Sequence, residues 1–149
     1  MMKLKNEIRN RIIENEKREL QSLLDMYKLH TSAADLDEDS SLSNEDFAQQ
    51  DQSRESARAL KNRINQAKTA LDNFINLNHE AKTIVEPGAM VLTNTLNFYI
   101  GISASKFEYD GRTFIGLEPS APIYTVFEGA KKGDKVTFNE HEYHILEVE

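Results

Sequence analysis

Neither proline nor glycine occurs in the first 86 residues of this 149-residue chain; all three prolines and all six glycines come after Glu86. A stretch free of both breakers can run as uninterrupted helix, while the tight turns of a small sheet depend on them. The chain therefore divides into a helical part and a turn-rich part before any side chain is considered. From Lys3 to about His30 the apolar positions Leu4, Ile8, Ile12, Ile13, Leu20, Leu23, Leu24 and Tyr27 recur at spacings of three, four and seven, which predicts a long amphipathic helix. From about Asn44 to Leu77 a second such stretch places Ala57, Leu60, Ile64, Ala67, Leu71 and Phe74 in the alternating three-four rhythm of a coiled-coil seam. One apolar stripe needs another to cover it. Two consecutive helices of similar length, joined by about a dozen residues, meet that need most simply as an antiparallel hairpin. The first helix alone would span on the order of 40 Å, so this half is expected to be a rod, and a monomer, because the hairpin satisfies its own seam.

The connection between the helices is chemically one-sided. Residues 31–53, TSAADLDEDSSLSNEDFAQQDQS, hold Asp35, Asp37, Glu38, Asp39, Glu45, Asp46 and Asp51 and no Lys or Arg. The formal charge of the chain is −7, so the acidic excess resides entirely at this turn and the remainder is neutral. Charge runs are most often solvated surface. At the far end of a rod, however, carboxylates can be delivered into a deep cavity that a globular protein cannot enter, and their oxygens suit a hard cation such as Mg²⁺.

After Leu77 the pattern changes to short β-rich runs, MVLT, NFYIGI, RTFIGL, KVTF and EYHILEV, separated by turn residues. These predict a twisted antiparallel sheet, with SAPIYTVFEGA forming a short helix that has Ser120 as N-cap, Pro122 in its first turn and Gly129 near its end. The fold class is thus α+β, divided as residues 1–80 for the hairpin, 81–87 for a linker and 88–149 for the sheet domain.

Composition and motifs exclude several chemistries. The absence of cysteine removes disulfides, zinc thiolates, iron–sulfur clusters and thiol catalysis. A pI near 5.2 argues against tight binding to bare nucleic acid through a broad basic face. A charged N-terminal stretch and the lack of any long apolar run predict a cytoplasmic protein with no membrane association. His141 and His144 point to opposite faces of a strand and make a poor chelate, and the isolated His30 and His79 suit surface or capping roles. No serine lies in a nucleophile-elbow context, and Gly129 to Gly133 lacks the Gly-Lys-Ser/Thr ending of a phosphate-binding loop.

Within SAPIYTVFEGAKKGDKV, the order Ser120, Pro122, Gly129, Gly133, Asp134, Val136 resembles the Ser-Pro…Gly…Gly-Asp…Val signature of the bacterial Gre transcript-cleavage factors. The intervals from Pro122 to Gly129 and from Gly129 to Gly133 are those of the family, with Ala121 inserted between Ser120 and Pro122. GAMVLTN at 88–94 resembles the start of the family's C-terminal domain. The resemblance covers essentially the whole chain, since these factors join an antiparallel coiled coil to an FKBP-like sheet domain. It implies a partner, bacterial RNA polymerase, with the coiled coil inserted through the secondary channel and the sheet domain docked at its rim. Nucleic acid would be met only inside the elongation complex.

The family's tip motif is Gly-Asp-Leu-x-Glu-Asn-x-Glu-Tyr. Residues 34–39, Ala-Asp-Leu-Asp-Glu-Asp, resemble its first part; Asn44, Glu45, Asp46 and Phe47 resemble its second part, displaced by the intervening SSLS. The resemblance implies that Asp35 and Glu38 help hold the polymerase's second Mg²⁺ and orient a water, with Glu45 and Asp46 as further candidates. No tightly bound cofactor is implied, and the chain would be an auxiliary factor with no active site of its own. Ser120, Pro122, Gly129 and Asp134 would bind the partner or shape the helix and turn that do. The alternatives are a channel-binding factor that inhibits or regulates without cleavage, a prolyl isomerase, for which the sheet half offers no catalytic constellation, and a coiled-coil adaptor with an unrelated partner.

Overall fold

The computed structural model describes residues 2–34 and 44–149, and the side chains of these except at 32–34 and 44–51. Two long helices, α1 (Met2–Ala34) and α2 (Asn44–Ile75), precede six strands and one short helix. The strands are β1 (Met90–Thr93), β2 (Asn97–Ile100), β3 (Ala104–Tyr109), β4 (Arg112–Leu117), β5 (Lys135–Phe138) and β6 (His141–Val148), with α3 (Tyr124–Phe127) between β4 and β5. The α+β class and the helical hairpin follow the sequence pattern. The chain packs as two compact units, Met1–Glu14 with Leu71–Glu149, and Asn15–Ala70.

The first unit is built on a sheet of order β3-β4-β2-β1-β6-β5. Its pairings are antiparallel except for β2 with β4, which run parallel with Phe98 opposite Ile115. That parallel pair departs from the purely antiparallel expectation, and its origin is β3, a strand over SKFEY that the sequence reading passed over. Strand β3 turns back at Asp110–Gly111, so β4 slots in beside β2 and leaves β3 outermost.

Both faces of the central strands are covered, which is why MVLT and NFYI are buried at every position rather than alternately. On one face Val91, Phe98, Ile100 and Ile145 pack with Val85, Tyr124 and Phe127. On the other, Met90, Leu92, Tyr99 and Phe114 pack with Ile8 and Ile12 of α1 and with Leu71 and Phe74 of α2. The first turns of α1 and the last of α2 thus serve as one cover of the sheet. Tyr109 adds a polar fastening, donating its hydroxyl to Glu7 at 2.6 Å while the Arg11 guanidinium lies 5.3 Å from its ring centre.

In the second unit, Ala57, Leu60 and Ile64 of the α2 seam are buried, and Leu20, Leu23, Leu24 and Tyr27 of α1 are partly buried. The apolar run of α1 skips from Ile13 to Leu20, and half-buried Glu16 occupies the gap one turn after Ile12. Burial, with Glu19 nearby, pushes the Glu16 carboxyl up to about 7.

Candidate functional site

Asp35 and Glu38, the carboxylates with the strongest claim from sequence, lie outside the described residues. Glu45 and Asp46 fall in the first turn of α2, with their side chains also outside the description. Among the described residues no three His, Asp or Glu side chains come together as a metal site.

The segment from Ser120 to Val136 is described in full. Ser120 and Pro122 lie in the turn before α3, and both are exposed. The short helix begins later than the sequence pattern suggested: Ile123 is its N-cap with no side-chain cap, so Ser120 does not cap it. The Pro122 carbonyl instead accepts from the Thr125 hydroxyl at 2.7 Å and from its backbone N–H at 3.2 Å. Tyr124 and Phe127 carry the helix into the core.

Gly129 and Gly133 have φ values of 78° and 92°, the left-handed region that glycine enters without strain. The Gly129 N–H donates to Val85 O at 2.9 Å, and Ala130 O accepts from Val85 N–H at 2.8 Å. The Asp134 carboxylate accepts the Lys131 backbone N–H at 2.9 Å, closing the turn from which Gly133 and Asp134 pair with Ile145. Gly129 and Asp134 are therefore occupied with backbone geometry, whereas Ser120 and Pro122 are available at the surface.

The structure also joins polar residues that sequence reasoning left apart. Lys5 is fully buried, and its ammonium donates to Glu80 O at 2.8 Å. Burial, followed by the nearby charge of Lys82, lowers its pKa to about 8, against an opposing effect of Glu149. Beside it His79 bridges two elements: Nε2 lies 2.6 Å from Phe74 O and Nδ1 lies 2.7 Å from the Tyr99 hydroxyl. A carbonyl can only accept, so Nε2 carries the proton and Nδ1 accepts from Tyr99. Burial lowers the His79 pKa and raises that of Tyr99, which keeps both groups neutral. Lys5 was legible in principle, because it shares the face of Ile8 and Ile12 at helical spacing; His79 carried no such signal. His141 faces Thr95 at 3.4 Å, while His144 lies 3.7 Å from Glu142.

Among the described residues no helix is long and apolar enough to cross a membrane. No protein-family model matches the chain, and no curated protein matches it. Among solved structures, the chain is similar to the GreA factor homolog 1 (Gfh1) protein of Thermus thermophilus at 14% identity, covering 96% of this chain and 93% of that one, with a TM-score of 0.33. A second structure, of the transcription factor Gfh1, matches at 13% identity over 94% of this chain and 92% of that one, with a TM-score of 0.34.

Proposed function

We propose that this chain is a Gre-like transcription factor that binds bacterial RNA polymerase through the secondary channel and stimulates cleavage of backtracked RNA. The observation that carries the reading is the juxtaposition of two helices of 33 and 32 residues around a connection bearing carboxylates and no cations. The Gre-like signature in the sheet half supports it, with Ser120 and Pro122 exposed as a docking element would require.

In this reading Asp35 and Glu38 help hold the second Mg²⁺ of the polymerase, where the ion activates a water for attack on the phosphodiester. The polymerase supplies the rest of the site, so the chain alone has no hydrolytic activity. The sheet domain, FKBP-like in the family it resembles, is the affinity module. The displaced second half of the tip motif favours one competing reading, in which the acidic turn occupies the channel and inhibits without promoting hydrolysis.

The test adds the purified chain to backtracked elongation complexes with Mg²⁺ and follows RNA length, comparing wild type with Asp35→Ala/Glu38→Ala. Short 3′ fragments that vanish with the double variant are expected. Binding to polymerase without fragments would overturn cleavage in favour of inhibition, and no binding would overturn both.

A further inference from the structure

An open cleft of about 380 Å³ lies between the first turns of α1 and the residues that follow α2, walled by Met2, Asn6, Arg9, Ile75, His79 and Glu80 among others. It is shallow and open to solvent. Two large apolar side chains, Met2 and Ile75, are 37% and 42% exposed here although buried core was available nearby. Arg9 lines the same cleft and makes no ion pair with a carboxylate among the described residues.

Cations gather on the side of the cleft that His79 lines. Three cations, Arg9, Lys5 and Lys82, act on that ring, and all three disfavour its protonation. Lys82 pairs with Glu86 at 3.4 Å and Glu149 acts on Lys5, which leaves Arg9 as the cation without a carboxylate partner among the described residues. The His79 ring nitrogens are both engaged elsewhere, so the polar groups left to meet a ligand are the Arg9 guanidinium and the Asn6 amide. Glu80 stands exposed at the rim and would oppose an anion.

We propose that this cleft binds a small carboxylate carried on an apolar stem, the carboxylate meeting Arg9 and Asn6 and the stem lying against Met2 and Ile75. A guanidinium pairs with a carboxylate through two parallel hydrogen bonds, and the bound charge would give Arg9 the partner it lacks among the described residues. Cations have nothing to gain in the cleft, and a purely apolar ligand would leave Arg9 desolvated and unpaired. The proposal is independent of any action on polymerase.

The test titrates the isotopically labelled full chain at neutral pH and constant ionic strength with hexanoate and, separately, with hexan-1-ol, following backbone amide resonances. Hexanoate should give saturable shifts at Asn6, Arg9, His79 and Glu80, and hexan-1-ol should not. Arg9→Gln should weaken hexanoate binding by about tenfold or more. Arg9→Lys should retain most of it, and Glu80→Gln should tighten it. Equal response to the alcohol, an unchanged affinity in Arg9→Gln, weaker binding in Glu80→Gln, or no saturable shift would each overturn the proposal.

Discussion

Replacing Lys5 by Met should abolish a specific rise in stability at alkaline pH. The wild-type ammonium is fully buried, and its pKa is lowered from 10.5 to about 8 on folding. A lysine that holds its proton less tightly when folded leaves the unfolded chain with more bound protons over that interval, so stability increases as pH rises from about 8 towards 10.5. Taken at face value, the shift is worth about 2.5 kcal/mol between pH 7 and pH 10. Relaxation of the surroundings about the buried charge reduces this to roughly half, about 1 to 1.5 kcal/mol.

Met has a similar length and no charge, so Lys5→Met removes the titration while filling most of the buried volume of the lysine stem. It also leaves the Glu80 carbonyl without its donor, at a cost of about 1–3 kcal/mol that does not vary with pH. The quantity to measure is therefore the difference in unfolding free energy between wild type and variant, by urea titration at several pH values from 7 to 10. Other titrating groups largely cancel in that difference. Wild type should gain on the variant by about 1 to 1.5 kcal/mol across the range. Parallel profiles would refute the claim that Lys5 is buried with its charge.

Three other changes test the architecture of the first unit. At Gly88, φ is 93° and an added Cβ would lie 2.1 Å from Asn78 O, so Gly88→Ala should cost about 2 kcal/mol or more in chemical denaturation. Glu140 holds φ of 66° in the turn between β5 and β6, where glycine is favoured, so Glu140→Gly should raise stability by about 0.5–1 kcal/mol and increase the melting temperature. Tyr99→Phe deprives His79 Nδ1 of its donor inside the core and should cost about 1–3 kcal/mol, read from the same urea titration.

The helical half was legible because it rests on local periodicity. An 86-residue run without breakers and two stripes at steps of three and four leave few alternatives to consecutive amphipathic helices, and α1 and α2 lie where those stripes predict. The strand runs of the sheet half were mostly visible too, as was the one-sided charge of residues 31–53. Strand β3 was not, because Ser105, Lys106 and Glu108 face outward on an edge strand and dilute the apolar signal. Gly129 and Asp134 stood out in sequence for their spacing, and the structure assigns them turn geometry and backbone hydrogen bonds.

Sequence by itself determined both long helices and the strands other than β3, where the breakers fall and where the acidic excess sits, since each depends on near neighbours in the chain. Only the tertiary structure decided that β2 and β4 run parallel and that Ile8, Ile12, Leu71 and Phe74 cover one face of the sheet. It likewise placed the Lys5 ammonium on Glu80, 75 residues away, and His79 between Phe74 and Tyr99. Such pairings are made between groups far apart in sequence, and no local pattern selects one distant partner over another. The burial of the whole chain selects it, by leaving each enclosed polar group a single place where its hydrogen bonds can be made.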